Sequence, residues 1–248
     1  MNVSINTAVF LHNIEAGESQ LDCLKRLSGS SIDNIEVRGE MFDDDTKDEE
    51  LKRINLLCAD NDWKFFYSVP EQLFNTNEIN SNLKSHLEMA DKYHIDHLKI
   101  SLGNMSQITE NQLVDLKRLL DQHTVKVTIE NQPNDDGIVD VVQKSLAKLK
   151  NFDIPLGYTY DAGNWYWVFE TPTDAFNHVK NYISVFHLKD IKRKQTVMLD
   201  DGATDWRTIV KQLKDDTPIF LEYDIPDNML QNQIDLVNEL INDSVVEV

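Results

Sequence analysis

Four residues of this sequence carry most of the chemistry it could perform: Glu130, Asp161, His187 and Glu222. Each lies at or beside the end of a short run rich in β-branched and aromatic residues, namely KVTIE (126–130), LGYTYD (156–161), SVFHL (184–188) and IFLEY (219–223). Successive residues of a strand face opposite sides, so Thr128 shares a face with Glu130 and Thr159 with Asp161. Neighbouring strands lie ~4.8 Å apart, so four adjacent strand ends can bring these side chains to one point. Three carboxylates and an imidazole suit one divalent metal ion (Mn²⁺, Mg²⁺, Co²⁺ or Zn²⁺), and the oxygen-rich set leans towards the harder ions. Without an ion, three converging carboxylates repel one another and take up protons. An acid at a strand end is also a common helix cap or loop contact, so spacing alone leaves both readings open.

The elements that must position these residues recur along the chain. Four further strand-like runs, VSINTAV (3–9), IEVR (35–38), KFFYSV (64–69) and HLKISL (97–102), bring the total to eight. Between them lie apolar stripes of helical period, such as Leu21/Leu24/Leu27, Ile79/Leu83/Leu87/Ala90, Leu113/Leu116/Leu120 and Ile234/Val237/Ile241. Thr109, Thr171 before Pro172, and Thr204 read as helix caps. Eight strands, each followed by a helix at 31 residues per unit on average, predict an α/β fold. The expected form is a closed (β/α)8 barrel spanning residues 1–248 as one domain, with its site at the C-terminal ends of the strands. The alternative, an open doubly wound sheet, usually carries a glycine-rich first turn; here that turn is FLHNIEAGES, with no GxGxxG.

The same alternation turns Glu36 and Arg38 of the second strand, and Lys99 and Ser101 of the fourth, towards the barrel axis. Arg38 and Lys99 could hold a substrate phosphate or carboxylate at the mouth, or form internal ion pairs with Glu36 or another acid. Trp165, with Tyr166 and Trp167, could stack on the apolar face of a sugar, or pack in the loop that follows Asp161. His12 could line the pocket or sit in a solvated loop.

Composition excludes several classes. Lys plus Arg number 24 against 43 Asp plus Glu, a formal charge of −19 that repels phosphate backbones and anionic membranes. Nucleic acid and membrane are therefore not expected partners. Cys23 and Cys58 form no CxxC and read as small buried residues of a reducing compartment. No apolar run reaches the ~18 residues of a membrane span, and the N-terminus lacks the basic region of a secretory signal, so a cytoplasmic location is expected.

The words around the four residues, VTIENQ, YTYDAGNW, VFHLKD and FLEYD, and their intervals of 31, 26 and 35 residues, resemble the xylose isomerase-like TIM barrels. IEVRGE (35–40) and GATDW (202–206) extend the resemblance over essentially the whole chain. Within that superfamily the sequence is similar to the sugar phosphate isomerase/epimerase group and the ketose 3-epimerases.

The resemblance implies that Glu130, Asp161, His187 and Glu222 bind one divalent metal. It also implies that Glu130 and Glu222 move a proton on opposite faces of a carbohydrate substrate. Arg193, six residues after His187, matches an arginine of the family that contacts substrate hydroxyls. Asn164 stands where the family often has a histidine that helps bind substrate oxygen. An amide still hydrogen-bonds there but has no proton that ionises near neutrality. The implied reaction is proton abstraction beside a carbonyl, leading to isomerisation or epimerisation of a sugar or sugar phosphate. Loss of a β-hydroxyl instead would give a dehydratase of the inosose or dehydroshikimate type, and a non-catalytic binding barrel is a third reading. A phosphodiesterase like the AP endonuclease relatives needs more histidines at strand ends than His187 alone and a surface compatible with DNA. Pairing of barrels in the family suggests a homodimer.

Overall fold

The computed structural model describes residues 1–246. It contains eleven strands: β1 (Ser4–Asn6), β2 (Asn34–Arg38), β3 (Lys64–Asn75), β4 (Glu78–Ile79), β5 (His97–Asn104), β6 (Lys126–Glu130), β7 (Leu156–Asp161), β8 (Ile183–Leu188), β9 (Asp190–Lys192), β10 (Gln195–Val197) and β11 (Ile219–Leu221). Eight of them pair side by side in parallel as β2-β1-β11-β8-β7-β6-β5-β3, and β3 pairs β2 again to close the ring. The expected (β/α)8 barrel is the observed fold. Its parallel registers place Ser101 beside Glu130, Asp161 beside His187 and Phe220 beside His187.

The apolar stripes predicted from the sequence bury themselves between helices and barrel. Leu113, Leu116 and Leu120 line the inner face of helix Glu110–Leu120, and Leu83, Leu87 and Ala90 that of helix Leu83–Tyr93. Thr109 closes a capping box with Gln112, and Thr171 caps the helix that begins at Pro172. Before helix Trp206–Val210 the cap is Asp205 rather than Thr204; its carboxylate accepts the Thr208 amide.

Several boundaries differ from expectation, and the last strand ends at Leu221, one residue short of Glu222. The first strand stops at Asn6, whose side chain accepts the Ala8 amide and turns the chain into a 3-10 helix (Thr7–Phe10). The third runs on to Asn75 by a register shift between Val69 and Gln72, which absorbs Pro70 without a broken ladder. The extension needs Gly103 on β5: at φ +75° a Cβ there would sit 2.1 Å from the Phe74 carbonyl oxygen. Ile79 belongs to β4, antiparallel to β3, and not to the helix that follows.

Inside the barrel the side chains stack in tiers. Phe66, Val185 and Phe220 form a small apolar plug, with the His97 ring stacked 4.5 Å from Phe66. Thr159 donates to Thr128 at 2.7 Å, and Asn34 to Ser4 at 2.7 Å. Above the plug, towards the C-terminal ends of the strands, the tier is polar and holds Asn6, Glu36, Lys99, Glu130, Asp161, His187 and Glu222, all buried. The two sides of the plug therefore face different chemistry.

Candidate metal centre

Glu130, Asp161, His187 and Glu222 converge as the strand ends predict, each offering one ligand atom, all four within 4.8 Å of one another. None is more than 6% exposed. His187 Nδ1 lies 3.0 Å from Glu130 Oε1 and 3.1 Å from Glu222 Oε2. The other ring nitrogen, Nε2, faces Glu36 Oε1 at 3.4 Å, and that oxygen accepts from Asn6 Nδ2 at 2.5 Å. The imidazole is thus held between an acid behind it and two in front.

Three cations of the chain reach into this cluster. Lys99 donates to Glu130 Oε2 at 2.8 Å. Arg38 donates to Glu222 Oε1 at 2.8 Å and to Glu40 at 2.7 Å. Lys189 lies 2.7 Å from both Asp161 Oδ2 and Glu222 Oε2. Of the two readings open for Arg38 and Lys99, the structure shows internal ion pairs, with Glu222 and Glu130 rather than with Glu36. Lys189 follows His187 by two residues and so shares its inward face; the alternation that selects His187 also selects Lys189.

Burial and charge set the protonation. Burial opposes ionisation of Glu130, but the Lys99 ammonium and His187 together outweigh it and hold the carboxyl down to about 2. Glu222 is likewise driven well below the ordinary range, because Lys189 and His187 overcome its desolvation. Asp161 goes the other way: burial raises it, and Lys189 offsets this only in part. Burial would keep His187 neutral, but Glu222 and Glu36 push its imidazole well above the usual histidine range. Four buried carboxylates, with Glu36 as the fourth, are therefore opposed by three fixed cations and an imidazolium.

The donors fit a divalent ion. Glu130 Oε1, Glu222 Oε2 and both ring nitrogens of His187 are buried without a directed hydrogen bond, although charged partners crowd them. Buried polar atoms in that condition are rare in proteins and point to a missing partner. Here the four residues offer one ligand atom each within 4.8 Å of one another, and carboxylate oxygen with imidazole nitrogen is the set a hard or borderline cation accepts.

Of the other predicted residues, Asn164 stays against the quartet, its backbone amide donating to Asp161 Oδ1 at 3.0 Å, and the rest lie elsewhere. Trp165 does not wall the site: it is fully buried in the outer core, 5.6 Å from the Tyr160 ring. The chain after Asp161 coils into a 3-10 helix (Asn164–Val168) that carries the indole back onto the helix-facing side of β7. Asn164 donates through its amide to the Asn131 carbonyl at 2.8 Å, bracing the β6 and β7 ends. Arg193 stands at the exposed tip of the β9–β10 hairpin with φ +52° and joins none of the ion pairs of the cluster. His12 binds Asp224 at 2.6 Å in a half-exposed pair.

Two supports were not foreseen. Asn131 accepts the Asp161 amide at 2.9 Å and the Tyr158 hydroxyl at 3.0 Å, and donates to the Asp161 carbonyl at 3.0 Å, fixing the backbone that carries Asp161. Asp190 accepts the Gly202 and Thr204 amides at 2.9 Å, so the GATDW loop is tied beside the mouth.

The chain matches the family described as xylose isomerase-like TIM barrel over residues 32–240, and it belongs to that family. No curated protein matches the sequence. Among solved structures it is similar to a probable 3-DHS dehydratase involved in petrobactin synthesis from Bacillus anthracis, with TM-score 0.71, 15% identity, and 98% and 99% of the two chains covered. It is similar to a D-tagatose 3-epimerase-like protein, with TM-score 0.71, 18% identity, and 99% and 100% covered. It is also similar to a D-psicose 3-epimerase solved in the presence of D-fructose, with TM-score 0.63, 12% identity, and 99% and 97% covered. At these identities the likeness carries the fold. Among the described residues no helix is long and apolar enough to cross a membrane.

Proposed function

We propose that this protein is a divalent-metal-dependent isomerase or epimerase of sugars or sugar phosphates. The observation that carries the reading is the buried quartet, whose ligand atoms lie within 4.8 Å of one another and include several with no directed hydrogen bond. Glu130, Asp161, His187 and Glu222 would hold one ion. Bound there, it would stabilise the oxyanion that develops when a proton leaves the carbon beside a carbonyl.

The remaining work falls to the side chains. Glu130 and Glu222 approach His187 from β6 and from the chain just beyond β11, and both are held ionised, the state a proton acceptor requires. Their neighbours Lys99 and Lys189 temper their basicity and supply positive charge where an oxyanion would form. Arg38, only a quarter exposed, is the cation nearest the mouth and would meet a substrate oxygen there. The plug of Phe66, Val185 and Phe220 closes the barrel below and keeps water from entering by that route.

The test is exchange of solvent deuterium into a panel of ketoses, ketose phosphates and inososes with Mn²⁺- or Co²⁺-loaded protein, followed by NMR. Incorporation at C3 indicates epimerisation, and at C1 or C2 isomerisation; both should vanish in Glu222→Gln. Net loss of water without exchange would move the protein to the dehydratase reading, and no divalent binding by calorimetry would overturn the metal.

A further inference from the structure

On the face opposite the quartet the barrel opens into a cavity of about 740 Å³ at the N-terminal ends of β3, β5, β6, β8 and β11. That volume is in the range of small-molecule sites. Its charge is anomalous for this chain. Lys64, Lys126 and Lys214 line it against Asp96 and Asp216, a local excess of positive charge in a protein of net charge −19. Among the described residues none of the three lysines forms an ion pair, whereas Asp96 is occupied by the Phe65 amide at 2.8 Å.

A second observation points inward. His97 lines the cavity and is only 7% exposed, yet its Nε2 has no hydrogen-bond partner. Its ring is fixed by the stack on Phe66 at the inner end of the cavity, with Nε2 buried and unpartnered, and Thr217 lines the wall. Lysines on separate strands and loops, with a hydroxyl on the wall, are what a phosphate ester with a hydroxylated body would engage.

We propose that this N-terminal mouth is a second binding site, for a small phosphate-bearing metabolite. It is separated from the quartet by the Phe66–Phe220 plug and is independent of the reaction assigned there. The test is calorimetric titration of the full chain, stripped of metal, with inorganic phosphate and ribose 5-phosphate, using ribose as the neutral control. Both anions should bind and ribose should not, with affinity falling as salt rises. Lys64→Ala and Lys126→Ala should each weaken binding about tenfold, the scale of one charged hydrogen bond. Arg38→Ala, on the opposite mouth, should leave it unchanged. No binding of either anion, or binding lost in Arg38→Ala and kept in both lysine variants, overturns the proposal.

Discussion

The Lys189 ammonium lies 2.7 Å from Glu222 Oε2 and bridges it to Asp161, two of the four groups that would hold a metal. The side chain therefore stabilises the metal-free cluster and opposes entry of a second cation. Lys189→Met leaves the paired acids buried without that charge, which costs roughly 3–5 kcal/mol when a buried pair is broken. The variant should melt well below the wild type without metal and recover most of the loss on Mn²⁺ addition. Equal stabilisation of both proteins by Mn²⁺ in a thermal scan would refute the competition.

Glu36 acts through His187. Its Oε1, held by Asn6, faces Nε2 and leaves Nδ1 directed at Glu130 and Glu222. An acid behind a ligating imidazole fixes the ring and raises its basicity. Glu36→Gln should therefore weaken divalent binding by roughly 10–100-fold while the fold stays intact. Calorimetry beside circular dichroism checks it, and an unchanged affinity would leave Glu36 with only a structural part.

Asn131 is the hinge between β6 and β7. Its side chain makes three hydrogen bonds, two of them to the backbone of Asp161. Asn131→Ala removes all three and frees the strand end that carries Asp161. Metal affinity should drop along with thermal stability, and Mn²⁺ should restore less of the melting temperature than it does in Lys189→Met. Full recovery by Mn²⁺ would show that Asp161 is positioned without it.

Alternation along strands made the site legible. Glu36, Lys99, Glu130 and Asp161 all face inward because each shares a side with an interior neighbour two residues away, a property of the backbone that needs no tertiary information. Lys189 obeys the same rule and escaped notice because its strand run ends at Leu188. Trp165 failed for a different reason. Once the chain leaves β7 it turns by 3-10 geometry, and its proximity in sequence to Asp161 no longer fixes direction. The pairing of Arg38 with Glu222 links residues 184 apart, and only closure of the barrel brings them together. The cavity at the opposite mouth was hidden for the same reason, since its lysines come from separate strands and loops.

His97 gives the barrel interior a signature in acid. Burial, aided by Lys126, pushes its imidazole down from 6.5 to about 3, so it is neutral in the folded protein. Between those values the unfolded chain binds the extra proton, so stability falls as pH falls, at up to about 1.4 kcal/mol per pH unit. The contribution is complete above pH 6.5 and is lost progressively towards pH 3. Glu130, depressed from 4.5 to about 2, acts only in a lower window. His97→Phe keeps an aromatic ring to stack on Phe66 and has no proton to gain. Between pH 6.5 and about 5 the wild type should therefore lose roughly 1.5 kcal/mol more than the variant in urea unfolding. Parallel pH profiles for the two proteins would mean that His97 is hydrated in the fold and that the plug beneath the quartet is open to water.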